Sequence, residues 1–181
     1  MTDRLKKLLT DGCEDIRRLF ADLVTGMANI TPEHGCVWWS IAVYRYLQGH
    51  GIECLLQAGS ASFQFVEPGS ADDDGVSSTN YAYVCEDGAA WLLAMRQLDT
   101  LPEMHAWVVV RSQSGGPEFV FVDWTSQYLV SLCLQHGFVW RQPEPPKVFV
   151  ATLSDMPAGW SYIGKHVPTA FVSQLERRLP K

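Results

Sequence analysis

The sequence predicts an α+β fold, in which a cysteine-bearing helix packs against an antiparallel sheet with further helices at its flanks. Two local patterns predict it. After Cys36, apolar residues recur at Val37, Ile41, Tyr44 and Leu47, with Ala42 and Val43 between, and the run stops at Gly49 and Gly51. That is helical spacing closed by glycine. Further on, Ala106-Trp107-Val108-Val109-Val110 and Glu118-Phe119-Val120-Phe121-Val122 are β-branched and aromatic runs, separated by Ser114-Gly115-Gly116-Pro117. Strands joined by so short a turn pair antiparallel.

Taken in order, residues 3–25 read as an N-terminal cover helix with Leu5, Leu8, Leu9, Ile16, Leu19, Phe20 and Leu23 on its apolar side, a break signal at Asp11-Gly12, and the sheet as its packing partner. Thr31-Pro32-Glu33 is the start signal that puts Cys36 near the first turn of its helix. Residues 53–66 read as strand. The segment that follows, residues 67–78, is a turn-rich acidic loop, and the insertion as a whole, residues 67–80, is expected outside the core. Asp72, Asp73 and Asp74 lack both the spacing and the closing glutamate of an EF-hand loop, which favours a solvated loop over a calcium site. Tyr81-Ala82-Tyr83-Val84-Cys85 reads as strand, and residues 89–98 as helix from their Ala, Leu, Met and Gln content. Residues 126–135 read as a helix ending at Gly137, residues 147–153 as a late strand behind the stiff Pro143-Glu144-Pro145-Pro146, and residues 169–179 as a terminal helix capped by Thr169.

There is no internal repeat and no linker. With 47% hydrophobic residues, the 181 residues read as one domain, with the cover helix over 1–30, the core over 31–130 and a C-terminal strand and helix over 131–181. The formal net charge of −6 argues against nucleic acid as a partner, because phosphate binding needs clustered Lys and Arg. Arg4-Leu5-Lys6-Lys7, Arg17-Arg18 and Arg177-Arg178 each read as solvated helix faces. No stretch is apolar enough for a membrane span, and the N-terminus lacks the apolar centre of a signal peptide. Five cysteines, at 13, 36, 54, 85 and 133, show no CxxC pair and make an odd number. A reduced, cytoplasmic protein without a disulfide framework or zinc ribbon is expected.

The candidate chemistry lies in Gly35-Cys36-Val37-Trp38-Trp39, Met104-His105-Ala106-Trp107 and Val122-Asp123-Trp124-Thr125. The thiolate is the reactive form of cysteine, and unpaired N–H groups at a helix N-terminus stabilise that anion. A buried small hydrophobe is the competing reading of Cys36. His105 starts one strand of the hairpin and Asp123 ends the other, so antiparallel pairing alone brings them side by side. A carboxylate bonded to one ring nitrogen fixes the tautomer and turns the other nitrogen outward.

These motifs, with Ala42 in the helix, His50-Gly51-Ile52 after it and Gly59 at the end of the next strand, resemble the transglutaminase-like superfamily of papain-type cysteine enzymes. The resemblance covers residues 30 to 130 and is carried chiefly by His105-Ala106-Trp107 and Asp123-Trp124-Thr125. It implies a papain-like, transglutaminase-core fold, with Cys36 as nucleophile, His105 as general base and Asp123 as orienting acid. It implies no cofactor, and a peptide or protein as substrate. Two departures bear on substrate: Glu53-Cys54-Leu55-Leu56-Gln57-Ala58 lacks the arginine often found there, and a long insertion precedes the histidine strand.

Of the seven tryptophans, Trp38, Trp39, Trp107 and Trp124 lie close to these three residues in sequence, and core packing is their default use. By alternation Trp107 shares a face with His105 while Trp124 turns away from Asp123, making Trp107 the better candidate for a cleft wall, with Trp38 and His34 as further substrate-side candidates. His50 and His136 sit at helix C-termini, where a cation complements the dipole. A zinc site from Cys36, His105 and Asp123 is chemically conceivable but ranks below the triad. The expected activity is thiol-dependent hydrolysis of an amide or peptide bond through a thioester. Transfer to an amine, as in a transglutaminase or N-acyltransferase, and a non-catalytic binding module on the same fold stay open as alternatives.

Overall fold

The computed structural model describes residues 2–27, 30–66, 78–98, 103–111, 119–137, 140 and 144–180. Six α-helices and one six-stranded sheet, paired antiparallel throughout, make up the described residues. In chain order these are α1 (Thr2–Asp11), α2 (Cys13–Val24), α3 (Cys36–Gly49), β1 (Cys54–Val66), β2 (Ser78–Tyr83), α4 (Ala89–Leu98), β3 (His105–Arg111), β4 (Phe119–Asp123), a single 3-10 turn (Thr125–Tyr128), α5 (Leu129–Gln135), β5 (Phe149–Thr152), β6 (Ser161–Gly164) and α6 (His166–Arg178). Among the described residues no helix is long and apolar enough to cross a membrane.

The sheet runs β2-β1-β3-β4-β5, with β6 also paired to β1. One face, carrying Leu56, Ala58, Ala106, Val108, Val110, Val120 and Val122, packs under α3 in a single core with Ile41, Ala42 and Leu47. The other face carries Ala61, Phe63, Phe149 and Ala151 beneath α5 and Trp160. Small and β-branched residues on the first face let α3 lie close to β3 and β1. That closeness sets where the α3 N-terminus falls.

The cover helix breaks at Gly12 into α1 and α2, as the Asp11-Gly12 signal predicts, and a Cβ there would collide with the Tyr46 ring. Of these two helices α1 lies against the sheet, at β5, while α2 chiefly covers α3. Phe20 of α2 stacks on Trp39 at 3.8 Å, and Trp39 stacks on Trp124 at 5.9 Å, a chain of rings that ties α2 and the start of α3 to the end of β4. At its other end α3 closes through Gly51, with φ +71°, and Ile52 N–H donates to the Leu47 carbonyl at 3.0 Å. Left-handed backbone of this kind is the reason for glycine there.

Several boundaries differ from the sequence reading. The strand expected over 81–85 is Ser78–Tyr83, because its register is set by pairing Val66 with Ser78 and Ala61 with Tyr83. Residues 78–80 of the expected loop are therefore strand, while residues 67–77 and the hairpin turn at 114–117 lie outside the described residues. The late strand is shorter, Phe149–Thr152. The terminal helix starts at His166 rather than at Thr169, and its exposed N–H groups are capped from afar: His166 and Val167 donate to the Asp87 carboxylate at 3.0 and 2.9 Å. These bonds hold the Asp87 carboxyl below the usual carboxylate range. Thr169 serves another purpose, accepting from Ala58 N–H and donating to the Ala58 carbonyl, both at 3.0 Å.

β6 has no counterpart in the sequence reading. It pairs with β1 over Gly59–Ser62, and Gly59 faces both His105 of β3 and Gly164 of β6. A Cβ on Gly59 would run into the Ile163 carbonyl and lie 2.8 Å from the Lys165 nitrogen, both backbone atoms that cannot swing aside. Gly59→Ala is expected to destabilise the protein by about 1–3 kcal/mol through this overpacking, read as a lower urea midpoint. An unchanged midpoint would mean that β6 is not held against β1.

Candidate active site

The turn before α3 presents Cys36. His34 and Gly35 N–H groups donate back to the Thr31 and Pro32 carbonyls at 3.2 and 3.4 Å, and Trp39 Nε1 donates to the Pro32 carbonyl at 3.0 Å. Gly35 fits because a Cβ there would lie 2.9 Å from the Phe20 ring. No side chain caps the helix. The first-turn N–H groups, which have no intrahelical partner in any helix, thus remain beside the thiol. Cys36 is half-buried, and its Sγ donates weakly to the Met104 carbonyl at 3.8 Å.

The next residue, His105, opens β3 and is 2% exposed; Asp123 closes β4 and is 1% exposed. Their strands pair Val108 with Val122. One step further along the same ladder Trp107 stands opposite Asp123, with His105 diagonal on that face. His105 Nε2 donates to Asp123 Oδ2 at 2.8 Å. Since an ionised carboxylate only accepts, Nε2 carries a proton, and Nδ1 is the nitrogen free for chemistry.

Every lone pair direction of Asp123 is used. Oδ1 accepts from the Thr125 N–H at 2.8 Å and from the Thr125 hydroxyl at 2.7 Å, a local closure that the Asp-x-Thr spacing encodes. Oδ2 accepts from Tyr162 Oη–H at 2.8 Å as well as from His105. Burial works against the charge on Asp123, yet His105, Thr125 and Tyr162 outweigh it and hold the carboxyl below its usual range. Burial also opposes a charged imidazole, but the Asp123 charge, the bond to it and the neighbouring Cys36 push His105 up to about 10. Tyr162, half-buried with its hydroxyl against a carboxylate, is raised well above an ordinary phenol.

Cys36 adjoins the His105 ring and helps to raise it, while Nδ1, among the described residues, makes no hydrogen bond of good geometry and the S–H is turned to Met104. Around the imidazole, Tyr83 stacks at 5.0 Å, Phe63 meets it edge-on at 5.6 Å, and Trp107 lies at 6.2 Å. These rings keep water from the ion pair.

The substrate-side candidates scatter. Trp107 does share the His105 face, but it is 1% exposed and packs between His105 and Tyr162, so it lies beneath the imidazole rather than along an open wall. Trp38 is buried in the core under α3, and His34 is exposed in the turn. Trp39 and Trp124 are core rings on the helix side, with Trp124 turned from Asp123 as alternation predicts. His50 holds the Tyr46 carbonyl through Nδ1 at 2.8 Å, and His136 follows the end of α5. A zinc arrangement would need thiol, imidazole and carboxylate to converge on one point. Here the carboxylate faces protein donors instead, and among the described residues no group of three or more His, Cys, Asp or Glu could hold a metal.

Tyr162 is the residue that the sequence reading missed. Its strand is four residues long and shows only faint punctuation from Pro157 and Gly159. Grooves of about 620 Å³ between α1 and β5, and about 430 Å³ beside α1, His50 and Arg111, lie away from Cys36, His105 and Asp123. Comparison of this chain with protein-family models, with curated proteins and with solved structures gave no match.

Proposed function

We propose that this protein is a thiol-dependent hydrolase of amide or peptide bonds, working through a Cys36–His105–Asp123 triad on a papain-like, transglutaminase-type fold. The observation that carries the reading is the buried His105, bonded at Nε2 to a fully satisfied carboxylate and flanked by a half-buried cysteine at an uncapped helix N-terminus. An imidazolium held at neutral pH is the partner that a reactive thiolate requires.

The chemistry follows from these positions. Cys36 Sγ attacks the carbonyl carbon, and first-turn N–H groups of α3 receive the developing oxyanion. His105 passes its Nδ1 proton to the leaving amine, whose departure leaves a thioester. The now neutral Nδ1 takes a proton from water, the hydroxide adds to the thioester, and collapse releases the acid and restores the Cys36 thiolate beside the His105 imidazolium. Asp123 holds the ring in the Nε2–H tautomer throughout.

Alkylation with iodoacetamide near pH 7 tests the proposal with a built-in control. Cys13 also begins a helix and is also half-buried, but no histidine–carboxylate pair adjoins it. Burial pushes Cys54 up to about 11 and raises Cys85 and Cys133, so those thiols stay protonated. Cys36 is expected to react faster than Cys13 by a factor of about ten or more, and His105→Ala should erase the difference. In a screen of peptide amides, turnover should vanish in Cys36→Ala. Equal labelling of Cys13 and Cys36 in the native protein would refute the activated thiol.

A further inference from the structure

We propose that Tyr162 is a positioning residue of this site, whose hydroxyl shares the carboxylate oxygen that holds His105 and thereby sets how tightly the imidazole keeps its proton. The inference rests on the triad proposed above. Tyr162 lies thirty-nine residues beyond Asp123 and arrives on β6, the strand paired with β1, over the sheet face that His105 and Asp123 share. Its hydroxyl nonetheless donates to Oδ2 at 2.8 Å, the same distance as the bond from His105 Nε2.

Packing alone does not call for that hydroxyl. The ring stacks on Phe121 at 5.7 Å and Phe149 at 6.2 Å and tilts against Trp107 at 5.2 Å, contacts that a phenylalanine would keep. What the oxygen adds is a second donor on Oδ2. A phenol O–H draws negative charge from that oxygen, and the positive end of its dipole lies beside the His105 Nε2–H. Both effects weaken the hold of Asp123 on the imidazolium, and in a dry site they are poorly screened.

The consequence falls on the proton that His105 must release to a leaving amine. Without Tyr162 the carboxylate would grip the imidazolium harder and make it a weaker acid. The titratable groups facing His105 are Asp123 from β4, Cys36 from α3, Tyr162 from β6 and Tyr83 from β2. Asp123 and His105 are the titratable groups that face Tyr162.

The test is proton NMR of the His105 Nε2–H in the full chain at pH 6, where burial slows its exchange. Tyr162→Phe should move this resonance downfield and raise the His105 pKa by roughly one pH unit. Incorporation of 3-fluorotyrosine at position 162 keeps ring and hydroxyl but strengthens the donor, and should move the resonance upfield. Opposite shifts support the proposal. No shift in either variant, or shifts in the same direction, would overturn it, because loosened packing cannot distinguish a stronger donor from an absent one. The resonance does not depend on Cys36 reacting, so failure of the hydrolase reading would show separately as unselective alkylation.

Discussion

Asp123→Asn is expected to cost about 3–5 kcal/mol of folding stability, because it strips the counter-charge from a buried imidazolium. The loss is hard to repair locally. Four donors converge on the carboxylate, two from Thr125, one from His105 and one from Tyr162. An asparagine carbonyl can face only one of these pairs, and its NH2 then meets the other, donor against donor. Urea unfolding at pH 7 reads the effect, and a variant as stable as its parent would show that the His105–Asp123 pair is not ionised. In turnover of a peptide amide the same variant should fall by a factor on the order of 10⁴ without reaching zero, since losing the orienting charge spares the nucleophile.

Raising the pH from about 6.5 to about 10 should progressively remove stability. His105 titrates near 10 in the folded protein against an ordinary 6.5. Below the lower value both states bind the proton and the full contribution of the ion pair is present. Between the two, only the folded state binds it, so stability falls with each step in pH; above the higher value the contribution is gone. Asp123 acts at the other end. Its folded carboxyl is lowered, so its share is present above the ordinary carboxylate range and is lost as pH falls through the lowered value. Urea midpoints across pH 6 to 10.5 should slope down for the parent and run flatter for His105→Gln. Parallel curves would mean that His105 does not carry the charge.

The helix of Cys36 and the hairpin were readable because their signals are local. Spacing of apolar side chains depends on the 3.6-residue turn, and a short connection leaves two strands little choice but to pair. The meeting of His105 with Asp123 follows from that hairpin, and Thr125 closes on the same carboxylate from two residues away. Boundaries were less readable where a partner distant in sequence sets them. Asp87 starts α6 three residues before Thr169, and the pairing of β1 draws Ser78–Asn80 into a strand despite their loop-like composition.

By itself, then, the sequence determined the α+β class, the helix that begins at Cys36 and the pairing that sets His105 beside Asp123. Each depends on residues close along the chain or on one turn. Only the tertiary structure decided that α2 chiefly covers α3 rather than the sheet, that Trp107 lies buried beneath the imidazole, and that Tyr162 completes the carboxylate's hydrogen bonds. Those outcomes depend on which surfaces meet. β6 shows why: four residues bury too little on their own to declare a strand, and it sits where Gly59 lets the backbone of Ile163–Lys165 approach β1 more closely than a side chain there would allow.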